Sequence, residues 1–501
     1  MGETAAGTPQ GNENGEKTSM PVHVVIVGAG PAGLLLAFYL LERGNKSFKV
    51  SLYESREDLR TTAKRELNAR RYSLSLAYKG KMVCKPMPGL LEAIKEISRP
   101  LDQLHIHVGR YVGASAMRLD LVRARGGDRE NRGGLNIDRA NLCAVMLEKL
   151  LERHGDSGLL DVHFFKRCAG VDFRKHEASF EDVRENVEAE GSKGLSVDVI
   201  PGQDTQRTAF GVQLQTVPYN LIVGADGVNS MVRHTMALEP RGFDCSVIDQ
   251  FTGFYILHVP RPPHISPSGL NIVPSCPDSA SFRCVFYPNG HDGESLNLAI
   301  GWANNDPVRI RSQVRCDPYH HSDGRAVLVG DAAHATSPSI GQGCNSSMVD
   351  AAVLARLLLG EVVGEDDRLG LKEKRTSEKV ADASGSGREA FFERLPRALE
   401  RYSALQVREG HALVDLSESE GPLDKNVAFW HQLRTMALGV FSRFLPWFFP
   451  KPILAMVGSN MPFSEMRRIH AREVEKVLSS NAKLRAEWRR TQAQKTLSAS
   501  V

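Results

Sequence analysis

The chain has 501 residues, of which 42% are apolar or aromatic and 24% charged, so it can bury a deep core and is too apolar for a disordered chain. Lysine and arginine exceed aspartate and glutamate by 63 to 59, an excess too small to argue for nucleic acid as a partner. Eight scattered cysteines form no CxxC pair, which argues against a zinc ribbon or a thioredoxin-type centre and reads as reduced thiols. His105 and His107 alternate on one face of a possible strand, but no third ligand lies nearby in sequence, so no metal site is expected.

Residues 1–20 are polar and acidic, lack arginine and an apolar stretch, and read as a flexible tail rather than a targeting signal. The run HVVIVGAG (23–30) is an apolar strand entering a turn. Gly28, Gly30 and Gly33 spell GxGxxG, and Leu34 to Arg43 continue as an apolar helix that Gly44 can end. In such a cradle the first glycine allows the tight turn and the second lets a pyrophosphate approach the backbone. The third allows close helix–strand packing. A second strand, FKVSLYES, carries Glu54 at its end, 21 residues beyond Gly33, where a carboxylate can accept from ribose hydroxyls. This unit by itself suits either NAD or FAD.

Residues 176–210 and 364–389 are charged and rich in small residues, as insertions or linkers are. The triplet Gly385, Gly387, Ala390 also spells GxGxxA, but no strand precedes it and it reads as linker. NLIVGADG (220–227) is a second apolar strand with a Gly-Asp turn, containing Asp226. Residues 245–317 are richer in aromatic and β-branched residues and read as an antiparallel sheet. RAVLVGDA (325–332) is the third strand, with Asp331 placed to take a sugar or ribityl hydroxyl. Pro338, Gly341, Gln342 and Gly343 then open the helix SSMVDAAVLARLLL, and their backbone N–H groups suit the electron-rich pyrimidine edge of a flavin.

Helical patterns dominate beyond residue 390. The basic stretch from Arg467 to Lys495 reads as a solvated face, with anionic lipid as an alternative. Within 436–463, Phe441, Phe444, Trp447, Phe448 and Phe449 cluster among prolines. They suit either a buried irregular segment or an interfacial anchor.

Taken together, GxGxxG, DG and GD resemble the class A FAD-dependent aromatic monooxygenases, the 4-hydroxybenzoate hydroxylase group. Within that group the chain is most similar to the kynurenine 3-monooxygenases, through YESREDLR (53–60), RRYSLSLAYKG (70–80), IDRANL (137–142), GDAAHA, GQGCN and AMVGSNMPFSEMRR (455–468). The resemblance implies FAD contacts at Gly28, Gly30, Gly33, Glu54, Arg56, Arg139, Cys168, Asp331, Cys344 and Asn345. It departs at the expected substrate anchors. In ungapped register the carboxylate-binding Arg falls on Ile106, with Arg110 and Tyr111 nearby; a Tyr falls on Leu454 and an Asn on Glu420.

The expected fold is α/β: a Rossmann-like FAD-binding domain with an inserted mixed β-sheet substrate domain and C-terminal helices. The FAD domain would span 21–180, 215–240 and 320–360, with an insertion at 181–214, the substrate sheet at 245–318, a linker at 364–389 and a helical region at 390–501. The implied activity is NAD(P)H-consuming hydroxylation of a small aromatic substrate by O2 through a flavin C4a-hydroperoxide. NAD(P)H would be a transient co-substrate, and no side chain need act as a nucleophile. A same-fold oxidoreductase or epoxidase acting on an apolar substrate, and a non-catalytic FAD-binding protein, are the alternatives. The resemblance also implies a cytoplasmic protein in peripheral contact with an organelle membrane, the mitochondrial outer membrane.

Overall fold

The computed structural model describes residues 20–58, 60–61, 73–101, 103–108, 117–122, 133–184, 214–239, 242–249, 252–263, 265, 269–273, 282–288, 295–303, 312–370 and 388–499. The chain starts with β1 (Val22–Val27), α1 (Pro31–Arg43) and β2 (Phe48–Tyr53), the strand–turn–helix–strand unit read from the glycine motif. Pro31 opens α1 at a position where no backbone donor is lost, and the N–H of Gly44 closes it on the Leu40 carbonyl. Helix α1 is buried almost all round, as its unbroken apolar run requires.

Next come β3 (Ser73–Leu76), α2 (Tyr78–Cys84), α3 (Leu90–Glu96), β4 (Arg99–Leu101), β5 (Gln103–Val108), β6 (Met117–Val122), β7 (Gly134–Asp138) and α4 (Arg139–His154). Strands β8 (Leu160–His163), β9 (Lys166–Asp172), β10 (Glu177–Asp182), β11 (Leu214–Pro218) and β12 (Leu221–Gly224) lead to α5 (Met231–Leu238). A second run of strands follows: β13 (Asp244–Asp249), β14 (Thr252–Pro260), β15 (Gly269–Val273), β16 (Phe282–Pro288), β17 (Ser295–Ala303), β18 (Ser312–Asp317) and β19 (Ala326–Leu328). The remaining elements are helical: α6 (Asp331–His334), α7 (Gly343–Leu358), α8 (Arg388–Ser419), α9 (Lys425–Phe444), α10 (Ile453–Met456), α11 (Phe463–Ile469) and α12 (Ala471–Ala499).

The central sheet is parallel and five-stranded, in the order β19-β12-β1-β2-β8. Its registers line up the carboxyl ends of four strands. Val27 faces Tyr53 on one side and Gly224 on the other, and Gly224 faces Leu328. The ladder continues one step past each end, with Gly28 N–H donating to Tyr53 O, Ala225 N–H to Val27 O and Val329 N–H to Gly224 O. Segments more than 100 residues apart in sequence therefore end in one row, and ligands of open α/β sheets sit beyond such a row. Buried α1 and α7 pack together against the sheet within one continuous apolar core.

The expected antiparallel sheet over 245–318 is more divided than its composition indicates. β13 and β18 form a separate two-stranded ribbon, and a six-stranded sheet runs β14-β17-β16-β15-β5-β6. β5 and β6 come from the stretch expected inside the FAD domain, and β5 pairs parallel with β15, so the sheet is mixed. Two smaller antiparallel sheets, β11-β10-β9 and β3-β7-β4, flank the centre. Part of the expected 364–389 linker is packed: Leu369 is buried, and Arg356 ties Asp367 back to α7 at 2.9 Å. Residues 371–387, with most of the GxGxxA look-alike, lie outside the described residues, as do 1–19 and 185–213.

Candidate functional site at the row of strand ends

Gly28 adopts φ +103°, and a Cβ there would lie 2.4 Å from the Ala225 carbonyl oxygen. The first motif and the GADG turn therefore touch, backbone to backbone. At Gly33 a Cβ would stand 2.1 Å from the Gly28 carbonyl oxygen, so α1 can approach β1 only through glycine. Gly30 differs: a Cβ there would meet only an Arg139 guanidinium nitrogen, at 3.9 Å. It caps α1 with extended backbone and no side-chain acceptor, which leaves the helix end open toward Arg139.

Arg139 is placed by its neighbour. Asp138 caps α4 by accepting from the Ala140 and Asn141 N–H groups at 2.9 and 3.1 Å, and that cap sets Arg139 in the first turn, over Gly30. The same guanidinium lies near Arg56 and Cys344.

Glu54 follows β2 and is 3% exposed. Its Oε2 accepts from Ala29 N–H at 2.9 Å and from Arg56 at 3.0 Å. Its Oε1 accepts from the Arg56 backbone N–H and Nε, both at 2.9 Å. Burial works to raise its pKa, but the Arg56 guanidinium and the two backbone donors prevail and hold it at about 2. The four lone-pair directions of this carboxylate are thus largely taken. The structure shows Glu54 as an anchor for the Gly28–Gly30 turn and for Arg56.

Asp226 likewise has a structural task. Its Oδ2 accepts from the Met231 and Val232 N–H groups at 2.7 and 3.3 Å and holds the start of α5, while Oδ1 is buried without a partner. Burial raises its pKa against the pull of Ser230 and those N–H groups. Cys168 sits beside Asp226 on β9, next to an irregularity in the β9–β10 register. Burial pushes its thiol up.

The third motif is built on Gly330, whose φ of +62° turns the chain into α6. Asp331 is exposed, and its Oδ1 lies 3.8 Å from where a Cβ on Gly343 would be. Pro338 and Ile340 bound a short 3-10 turn, and Gly341 reverses the chain with φ +63° and open space around it. Gln342 then caps α7; it is 4% exposed, with a partnerless buried Oε1. The first intrahelical bond of α7 runs from Ser346 N–H to Gln342 O, so the N–H groups of Gly343, Cys344 and Asn345 stand at the open helix end.

The Asn345 side chain is spent elsewhere. It accepts from Ala77 N–H at 2.8 Å and donates to Ser75 O at 2.9 Å and Gly341 O at 3.3 Å, fastening β3 to α7. Only its backbone can serve a ligand. Burial pushes the Cys344 thiol up to about 12, beside Cys143, Arg139 and Asp331. The structure therefore gathers Gly28, Gly30, Gly33, Glu54, Arg56, Arg139, Asp226, Asp331, Gly343, Cys344 and Asn345 at one end of the parallel sheet.

Two supporting groups carry no motif. Asp350, 2% exposed on α7, accepts from Gly330 N–H at 2.9 Å and pairs with His334 Nε2 at 2.5 Å. Burial opposes a charge on His334, but Asp350 outweighs it and raises the imidazole pKa. Arg233 on α5 donates to Val228 O at 2.6 Å and to Ala332 O at 3.0 Å, clamping the second motif to the third. The signal for Asp350 was a lone carboxylate inside an apolar helix; Arg233 gave none.

Among the described residues, the expected substrate anchors do not form a carboxylate site. Glu420 is buried and faces His431 at 3.5 Å, and Leu454 packs on a small C-terminal apolar cluster. Ile106 pairs its backbone with Ile272, while Arg110 and Tyr111 lie outside the described residues.

Comparison with known proteins agrees with this geometry. Residues 26–77 match the model of an NAD(P)-binding Rossmann-like domain, and residues 287–380 match that of an FAD binding domain. The kynurenine 3-monooxygenase of Neurospora crassa is 27% identical over 478 residues, covering 85% of this chain and 83% of that protein. The kynurenine 3-monooxygenase of Aspergillus terreus is 28% identical, covering 79% and 76% respectively. Among solved structures, CtdE in complex with FAD and a substrate superposes with TM-score 0.55 at 13% identity, over 91% of this chain and all of that one. A 2-methyl-3-hydroxypyridine-5-carboxylic acid oxygenase gives TM-score 0.51 at 17% identity, covering 80% of this chain and 93% of that one. These superpositions show a shared fold.

The chain is thus similar to proteins named as FAD-dependent monooxygenases over most of its length. The residues present suit that cofactor. Gly30 leaves room where a Cβ would face only Arg139, two helix N-termini offer free N–H groups, and the buried Asp226 Oδ1 lacks a partner.

Two outcomes follow from the geometry. Arg139→Ala should weaken FAD binding about 10- to 100-fold, as loss of a charge-assisted contact worth ~1.5–3 kcal/mol does. Fluorescence titration of the apoprotein measures this, and an unchanged Kd would remove Arg139 from the cradle. Glu54 has a folded-state pKa below its ordinary 4.5, so its stabilisation is present above pH 4.5 and is lost as pH falls toward 2. Because Arg56 is half-exposed, the effect is ~1–2 kcal/mol rather than the full shift. Acid unfolding of wild type and Glu54→Gln should converge over that window, and parallel curves would contradict the ion pair.

Proposed function

We propose that this chain binds one FAD across the row of strand ends and hydroxylates an electron-rich aromatic substrate, using NAD(P)H and O2. The observation that carries the reading is the register of β2, β1, β12 and β19. It sets Glu54, the glycine cradle, the GADG turn and the GDAA turn side by side. FAD, once bound and reduced by NAD(P)H, supplies the oxygen-activating chemistry.

The chain's own residues bind and orient. In this reading the open end of α1 at Gly30 and the Arg139 guanidinium take the pyrophosphate. Asp331 accepts from the ribityl chain. The N–H groups of Gly343, Cys344 and Asn345 meet the pyrimidine edge, where the positive end of α7 favours negative charge. Asp226, through Oδ2, and the Glu54–Arg56 pair serve by holding the turns, and Cys168 packs beside Asp226. The six-stranded sheet roofs the substrate and excludes water from the reacting face.

The relatives' names make kynurenine the first substrate to test. With Leu454 and Glu420 at two of the expected anchors, an amino-acid carboxylate would have to be held by other groups, so aromatic amino acids and phenols belong in the same screen. Purified protein should be yellow, and an accepted substrate should stimulate NAD(P)H oxidation and yield a product heavier by one oxygen atom. Yellow protein whose NAD(P)H oxidation no aromatic stimulates would leave a flavin-binding fold without this activity.

We also propose that the C-terminal region rests on a membrane surface. No helix among the described residues is long and apolar enough to cross a membrane. The aromatic segment is not buried, against the simpler of the two sequence expectations: Phe444, Trp447 and Phe448 are 72%, 77% and 75% exposed, and Phe429 and Trp430 are exposed near the other end of α9. Exposed tryptophan and phenylalanine near Arg443 and Lys451 suit the interfacial layer of an anionic bilayer. The protein should float with phosphatidylserine-containing vesicles, and Trp447→Ser with Phe448→Ser should abolish flotation while leaving turnover intact. Equal flotation of the double variant would refute it.

A further inference from the structure

The ribbon of β13 and β18 has a register that sets Cys245 directly opposite Cys316. Their Sγ atoms stand 3.7 Å apart, with the Cys316 thiol donating to the Cys245 sulfur. Residues directly opposed in an antiparallel pair have Cα atoms roughly 4.5–5.5 Å apart. That lies inside the ~4.4–6.8 Å a disulfide spans, so bond formation needs side-chain rotation and little backbone movement.

The two thiols differ in environment. Cys316 is 1% exposed, with its Sγ 3.9 Å from the Ala332 carbonyl oxygen. Cys245 is half-buried and within reach of small solutes. The Cys316 hydrogen bond and the nearby Arg233 guanidinium favour a thiolate on Cys245, against its partial burial, and bring its pKa to about 7. Burial instead raises Cys84, Cys143, Cys168, Cys284 and Cys344.

We propose that Cys245 and Cys316 form an oxidisable dithiol that closes to a cross-strand disulfide when the protein meets hydrogen peroxide. The Cys245 thiolate attacks one peroxide oxygen. The O–O bond breaks, hydroxide leaves and becomes water by taking up the proton that the Cys245 thiol had released, and Cys245 becomes a sulfenic acid. The Cys316 sulfur then attacks the Cys245 sulfur. The S–S bond forms, the S–O bond breaks, and the departing hydroxide takes the Cys316 proton as a second water. Two thiols are oxidised by two electrons and one peroxide is reduced.

The position gives the modification a consequence. β13 leads into β14 of the six-stranded sheet and β18 into β19 of the parallel sheet, so the disulfide would staple the stalk between the two sheets. It would also draw the Cys316 sulfur away from the Ala332 carbonyl, which accepts from Arg233 as well. The thiol chemistry does not depend on which cofactor the cradle holds.

The test uses the full chain. Reduced protein is exposed to stoichiometric hydrogen peroxide, remaining thiols are blocked with N-ethylmaleimide in denaturant, and the digest is mapped by mass spectrometry. The expected result is a Cys245–Cys316 cross-linked peptide, an intact mass lower by two hydrogens, and reversal by dithiothreitol. In Cys316→Ser, dimedone should trap a sulfenic acid on Cys245. The proposal is overturned if the wild-type digest carries both cysteines blocked as free thiols, over-oxidised without a cross-link, or bridged to other cysteines. That map decides the matter even where the variant fails to fold.

Discussion

Everything at the candidate site depends on one constraint, the parallel register that ends β2, β1, β12 and β19 in a single row. A slip of one residue in any of these strands would turn its alternate side chains over. Continuous burial makes such a slip costly. Val24, Val25 and Ile26 are fully buried on both faces of the sheet, as are Ile222 and Val223. The site is therefore positioned by the core itself. The loops beyond the row inherit their alignment from strands whose hydrogen bonds and packing admit one arrangement.

Given that row, the electrostatics follow. Two helices, α1 and α7, begin just past strand or turn ends and present unpaired N–H groups there. Neither start carries an acidic residue in its first turn that would fill the site from within. The carboxylates nearby are instead turned inward to backbone donors. Glu54 holds Ala29, Asp226 holds the start of α5, and Asp350 holds Gly330. Each satisfies groups that would otherwise be orphaned and fixes a turn as it does so. What remains at the surface of the row is Arg139, the open helix ends and the outer edge of Arg56 paired with Glu54, with Asp331 the one exposed carboxylate among the residues gathered there.

Much of this was legible in the sequence, and the illegible part has physical causes. The strands around GxGxxG, GADG and GDAA could be read because a doubly buried parallel strand needs an unbroken Val/Ile/Leu run, and few other elements do. The glycine roles could be read because Gly28 and Gly33 meet backbone atoms at distances no side chain tolerates. The inward turn of Glu54 and the spending of the Asn345 amide on Ser75 and Ala77 depend on partners that only the fold brings near. The pairing of β5 with β15 joins residues more than 150 positions apart, and nothing local in QLHIHV encodes it. The solvation expected along the basic C-terminal helix fails at Arg485, which is buried in an ion pair with Glu418. An amphipathic helix says which residues are polar but not which of them meet a buried carboxylate.

The divergence of this chain from its relatives also follows from how the cradle binds. Recognition through backbone N–H groups demands only that a few positions lack a Cβ and that helices start in the right place, so most side chains are free to change. A chain only 27% identical to a named relative can keep the whole row. Substrate recognition has no such latitude, because a carboxylate or an aromatic ring is held by particular side chains. At two positions where the resemblance led one to expect substrate anchors, Leu454 packs on an apolar cluster and Glu420 faces His431. A site built from backbone therefore tolerates sequence change that a site built from side chains does not.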